Sequence, residues 1–182
     1  MNKGMAVKRL NQIFLLAFLV LMPSQSARPQ EQPPLDQRRT LAEVRDKRRA
    51  LLMVFRSGVL DASNNERAIV DQVLKADPEP KGRNRWVYGQ IAKKLNNYIR
   101  KYRSLTATTE LSEADYVIYF NLIEFRRILN VIYPYGELFV IVKESPETHT
   151  PARVIWKAKK VLWAGDAIND LIKDLKNVRG ES

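Results

Sequence analysis

The apolar positions of this chain form one unbroken early block and a later series of short runs with two different periods. Ile13 to Met22 are ten apolar residues in succession, preceded by Lys3, Lys8 and Arg9 and followed by Pro23-Ser24-Gln25-Ser26-Ala27. A basic head, a short apolar stretch and a small-residue exit are the three parts of a secretory signal peptide. Ten residues are too few to cross a bilayer, which takes about 20. Residues 1–27 therefore read as a signal peptide cleaved after Ser26 or Ala27, leaving a secreted or periplasmic protein with no transmembrane span. Lys8-Arg9 is not a twin-arginine pair, so the general secretory route is expected.

Residues 28–36 are polar with three prolines, and residues 37–49 are dense in arginine, so 28–49 reads as a polar, basic linker. Within it, 37–49 suits a short helix or a solvated lead-in to a strand. Ala50 to Phe55 is a compact apolar run whose length and Arg-Ser-Gly exit favour a buried strand over a helix. Ser63 or Asn64 is placed to cap a helix carrying Ala68, Ile69, Val70, Val73 and Leu74, which Asp77-Pro78 ends. After a Pro- and Gly-containing loop, Trp86 to Arg103 has the clearest helical stripe, formed by Val87, Ile91, Leu95, Tyr98, Ile99 and Tyr102.

Leu105 to Thr109 reads as a short edge strand, and Ser112 to Asp115 as a polar turn. Tyr116 to Phe125 is apolar on both alternate faces, which predicts a central strand covered on both sides. Tyr133-Pro134-Tyr135-Gly136 reads as a turn, Leu138 to Val142 and Arg153 to Val161 as strands, and Asp166 to Arg179 as a closing helix capped by Asp166 and stopped by Gly180. The order is strand, two helices, a short strand, three strands and a helix. Successive strands with short connections favour a meander. The predicted fold is α+β, a mixed and mainly antiparallel sheet of 4–5 strands with about three helices packed mainly on one face, in a single domain over 50–179.

The net charge of +11 falls to +8 once residues 1–27 are removed, since they hold three bases and no acid. With no cysteine, disulfides, thiolate nucleophiles and Cys-ligated metal sites are excluded. The single histidine, His149, sits between Pro146 and Pro151 in a loop and is too isolated for a metal site or a triad. The glycines are scattered singly, without the spacing of a phosphate-binding loop. No cofactor is expected.

The segments Glu113 to Phe120, Gly136 to Val142, Arg153 to Ala158 and the closing helix together resemble small exported bacterial α+β envelope domains, many of which are lipoproteins. The resemblance implies a bacterial envelope location and no catalytic residue. The chain departs from the lipoprotein pattern because it has no cysteine to acylate.

Two groups of residues carry candidate chemistry. Arg85, Lys93, Lys94, Arg100 and Lys101 lie on the strongest amphipathic helix, and clustered Lys and Arg attract anionic polymers or lipid headgroups. Another envelope protein is a further expected partner. Nucleic acid is not, because export removes the usual targets and no nucleic-acid-binding signature appears. The second group is acidic: Glu110, Glu113 and Asp115 near the entry of the central strand, and Glu124 within it. Asn121 and Glu124 differ in parity and are expected on opposite sheet faces. The principal expectation is a non-catalytic binding or assembly module with a basic surface. The alternative is a carboxylate-dependent hydrolase of an envelope polysaccharide, which requires a pocket where one of these acids meets another.

Overall fold

A computed structural model describes residues 41–57, 65–144, 150–158 and 162–181. The expected signal peptide with its expected boundary at Ser26 or Ala27, the proline-rich stretch, Ser63, Asn64 and His149 lie outside the described residues.

The fold is α+β. Strands β1 (Arg49–Phe55), β2 (Thr106–Thr108), β3 (Tyr116–Ile128), β4 (Val131–Val142) and β5 (Arg153–Lys157) form one sheet in the order β2-β1-β3-β4-β5, and β6 (Leu162–Trp163) also pairs with β4. β1 runs parallel to both β2 and β3, and the pairings of β4 with β3, β5 and β6 are antiparallel. The sheet is therefore mixed, with the short strand on the edge and β3 in the centre, as the apolar patterning predicts.

Among the described residues three helices cover it: α1 (Glu66–Lys75), α2 (Asn84–Tyr102) and α3 (Ala164–Arg179). The alternation of β3 assigns the faces. Tyr116, Ile118, Phe120 and Leu122 pack into one cluster with Val87, Ile91 and Leu95 of α2 and Ile168, Leu171 and Leu175 of α3. Val117 and Tyr119 face the other way and join Ile69, Val70 and Val73 of α1. Two helices thus share the first face, and the shorter α1 covers part of the second.

Several local expectations change. Packing extends N-terminal to residue 50: Leu41 and Val44, flanking and closing a single 3-10 turn (Ala42–Val44), are buried in the first cluster. Arg179 ties that turn down. Its guanidinium donates to the carbonyls of Val44 and Lys47 and to that of Ser104 beyond α2. Asn65 caps α1, accepting from the Ala68 amide. Asp166 is not the cap of α3; that position is Trp163, and Asp166 lies in the first turn where a negative charge suits the helix dipole. Gly180 ends α3 at φ 68°, as the sequence predicts.

The largest difference lies between β3 and β4. Tyr133 to Gly136 are not a turn. They lie within β4, and the chain reverses at Leu129-Asn130, between the paired Ile128 and Val131. Pro134 and Gly136 are the buried members of an alternation whose partly exposed members are Tyr133, Tyr135 and Glu137. Glycine is required at 136 by close packing: a Cβ there would stand 2.8 Å from Phe120 Cζ and closer still to the Asn121 carbonyl. Proline is tolerated at 134 because, among the described residues, β4 pairs there with β3 alone; β6 begins its pairing at Tyr135.

Candidate functional site

The β3–β4 ladder extends well past the rest of the sheet. β1 pairs with β3 only as far as Phe55 with Asn121, whereas β3 and β4 continue from Glu124 with Tyr135 to Ile128 with Val131. A β-bulge between Leu122 and Glu124 separates the two regimes. Asn121 pairs with Glu137 and Glu124 with Tyr135, and Tyr135 and Glu137 share a face of β4. Asn121 and Glu124 therefore lie on the same sheet face, contrary to the parity expectation, because the bulge adds one residue.

At the base of the projecting ribbon, buried Asn121 bonds through both ends of its amide. Its Oδ1 accepts from the Ser57 amide at 3.1 Å and from the Tyr119 hydroxyl at 3.2 Å, and its Nδ2 donates to Glu137 at 3.3 Å. Burial pushes the Tyr119 phenol up, so it stays a hydrogen-bond donor. These contacts tie the end of β1 to β3 and β4.

Both faces of the ribbon are braced by aromatic rings. On the second face the Trp163 ring lies 5.0 Å from Tyr133 and 5.1 Å from Tyr135. The Arg126 guanidinium sits 3.8 Å over the Tyr135 ring and binds Glu124 at 2.5 Å, a contact that raises its pKa and keeps it charged. On the first face Phe125 packs against Trp86 of α2, with ring centroids 6.2 Å apart. Beyond these braces the tip is apolar and open. Leu129 is 90% exposed, and Ile128, Val131 and Ile132 are each about half exposed. Leu129 also holds φ at 54°, a left-handed conformation that disfavours a bulky side chain.

The five basic residues predicted on α2 divide into four groups. Lys94 is turned inward and donates to the Gly165 carbonyl at 3.0 Å and to Asn169 at 2.9 Å, joining α2 to the start of α3. Lys101 lies over the Tyr102 ring at 4.7 Å, which Lys176 of α3 approaches at 5.0 Å. Arg85 is engaged by Glu79 and the Pro80 carbonyl at the entry to α2. Lys93 and Arg100 remain on the outer side, where with Gly89, Ala92, Asn96, Asn97 and Ile99 they line a shallow depression. Arg100 bonds Asn97 one turn back.

The predicted acids do not converge. Glu113 accepts from the Thr108 hydroxyl. Asp115 accepts from the Arg48 and Arg49 amides and the Arg49 guanidinium, closing the entry to β1. Glu124 is the partner of Arg126. A depression of about 340 Å³ at the end of β1 is lined by Asp71 with Arg56, Gln72 and Lys75, and by none of these three acids.

Sequence reasoning missed the projecting hairpin. Its signal was present: Ile128-Leu129 and Val131-Ile132 are paired apolar dipeptides around Asn130, a turn-forming residue. The aromatic-rich Tyr133-Pro134-Tyr135-Gly136 drew the turn assignment away from it.

Among the described residues no cluster of three or more His, Cys, Asp or Glu is placed to hold a metal, and no helix is long and apolar enough to cross a membrane. Comparison with protein-family models, with curated proteins and with solved structures finds no match.

Proposed function

We propose that this chain is an exported, non-catalytic binding module that works against an anionic surface of the bacterial envelope. The observation that carries the reading is the outer side of α2. Lys93, Arg100, Asn96 and Asn97 stand around the small residues Gly89 and Ala92, and no carboxylate lines the depression. Two cations and two amides beside Gly89, Ala92 and Ile99 offer donors to phosphate or carboxylate oxygens. The pattern of residues 1–27 supports export, and the positive net charge supports attraction at a distance. The hydrolase alternative is less well supported, since Glu113, Asp115 and Glu124 are each held by a neighbouring donor.

The test is retention of the full chain on immobilised polyphosphate across a salt gradient. K93E/R100E is compared with R67E/K173E, which makes the same charge change at two other exposed helix positions. Earlier elution of K93E/R100E than of R67E/K173E supports the reading. Coincident elution of the two variants reduces the effect to net charge and overturns it.

A further inference from the structure

We propose that the β3–β4 hairpin is a membrane-docking finger whose tip, Ile128 to Ile132, enters the boundary between headgroups and acyl chains of an anionic bilayer. The proposal names the partner for the anionic-surface reading above. Its headgroup contacts rest on that reading, whereas insertion of the tip rests on the hairpin alone.

Four features point to a lipid surface. The exposed apolar side chains surround the turn: Ile128 pairs with Val131 on one face of the ribbon, Ile132 lies on the other beside its partner Arg127, and Leu129 lies in the turn that joins the strands. They cap a narrow protruding ribbon, a shape that penetrates where a flat patch would only adsorb. The chemistry is also layered. Arg126 and Arg127 directly precede the apolar tip, Tyr133 follows it, and the half-exposed Trp86 lies against Phe125 further back. Apolar groups outermost, with cations and amphipathic aromatics behind, match the order of environments from acyl chains to headgroups.

The third feature is the backbone at Leu129. A turn selected only for folding would carry Gly or Asn at positive φ. Leucine there is unfavourable for the backbone and leaves its whole side chain in water. A bilayer interior offsets the second of these penalties. The fourth is rigidity. Trp163, Tyr133, Tyr135 and Arg126 on one face and Trp86 with Phe125 on the other hold the ribbon before any partner arrives, which lowers the entropy lost on docking. A second copy is the less favoured occupant, because two tips packed head to head bring the Arg127 side chains of both copies together.

The chain has no cysteine, so L129C gives a single attachment point for a polarity-sensitive fluorophore, and N177C on exposed α3 gives the reference. The full chain is titrated with phosphatidylcholine vesicles with and without phosphatidylglycerol. Ile13 to Met22 can hold any full chain on lipid, so the local probe, and not bulk binding, is the readout. The proposal expects a blue shift and access to a bilayer-embedded quencher at position 129, stronger on anionic vesicles, with neither effect at 177. Absence of any change at 129 overturns it, as does a shift without lipid that grows with protein concentration, which would assign the tip to a second copy. Equal shifts at both positions also overturn it, since they indicate nonspecific adsorption. Adding I132D to the L129C chain should raise the lipid concentration needed for the shift at 129 roughly tenfold. In the K93E/R100E background the shift at 129 should persist, so failure of the α2 surface and failure of the finger are read separately.

Discussion

Trp156 of β5 donates its indole N–H to the Asp174 carboxylate of α3 at 2.9 Å, while its ring is 95% buried between the sheet and that helix. The contact explains how a strand with Lys157 on its opposite side keeps its register: the ring and the hydrogen bond orient one face, and the Lys157 ion pair with Glu66 of α1 orients the other. Trp156→Ala removes a large core side chain and leaves Asp174 without this donor. It should cost about 3–5 kcal/mol in thermal or denaturant unfolding. Trp156→Phe retains most of the packing and loses the donor, so its cost should be about 1–2 kcal/mol. A near-zero effect of the alanine variant would contradict the placement of Trp156 in the core.

Gly136 is a packing position and not a turn position. A methyl group there meets the Phe120 ring and the Asn121 carbonyl, and the carbonyl is held by its place in the β3–β4 ladder. Gly136→Ala should therefore destabilise the domain by about 1–3 kcal/mol. An unchanged melting temperature would mean that the two strands do not approach as closely as described.

The elements that were legible in the sequence are those whose side chains repeat with one period throughout. Val117, Tyr119, Ile118 and Phe120 alternate without interruption, and both sets are buried, so β3 could be placed at the centre before its neighbours were known. The α2 stripe is equally regular. The hairpin was not legible because its decisive feature is a single extra residue. The bulge at Leu122/Glu124 exchanges the faces of every residue beyond it, and alternation counted from Tyr116 then misassigns Glu124. Lys94 escaped for a different reason. A lysine beside Lys93 reads as solvated charge, and only the position of α3 supplies the Gly165 carbonyl and Asn169 that turn it inward.

Asp115 gives the domain a defined acid sensitivity. Burial alone would raise its pKa, but the Arg49 and Arg48 amides and the Arg49 guanidinium outweigh burial and hold it below its ordinary value of 3.8. A carboxyl depressed in the folded state stabilises the fold above the ordinary carboxylate range, and that contribution disappears as pH falls through the lowered value. Asp115→Ala should cost about 1–3 kcal/mol near neutral pH, from the loss of charge-assisted hydrogen bonds to the two backbone amides at the entry to β1. The gap between parent and variant should narrow as unfolding is measured at successively lower pH below 3.8. A gap independent of pH would remove the carboxylate from this role.

Charge reversal along α2 should separate two neighbours. Lys94→Glu places a carboxylate against the Gly165 carbonyl and breaks the joint to α3, so it should destabilise by about 1–3 kcal/mol. Lys93→Glu changes an exposed position and should leave stability within about 0.5 kcal/mol of the parent. If Lys93 is the costly position, the assignment of inner and outer faces of α2 is reversed.

Leu129 predicts opposite effects on stability and on lipid binding. For an L-amino acid, the left-handed region costs roughly 1–2 kcal/mol, and asparagine tolerates it better than leucine. Because Leu129 is 90% exposed, replacing it removes almost no packing from the folded state. Leu129→Asn should accordingly raise the free energy of unfolding by about 0.5–1 kcal/mol. The same substitution takes the most exposed apolar side chain from the tip, so the lipid-dependent shift of a fluorophore placed at I132C should weaken on anionic vesicles. A variant that is both more stable and weaker at the bilayer would show that leucine is kept at 129 for contact and not for folding. A variant that is less stable than the parent would instead mean that the side chain stabilises the turn itself, and the backbone argument for a docking tip would fail.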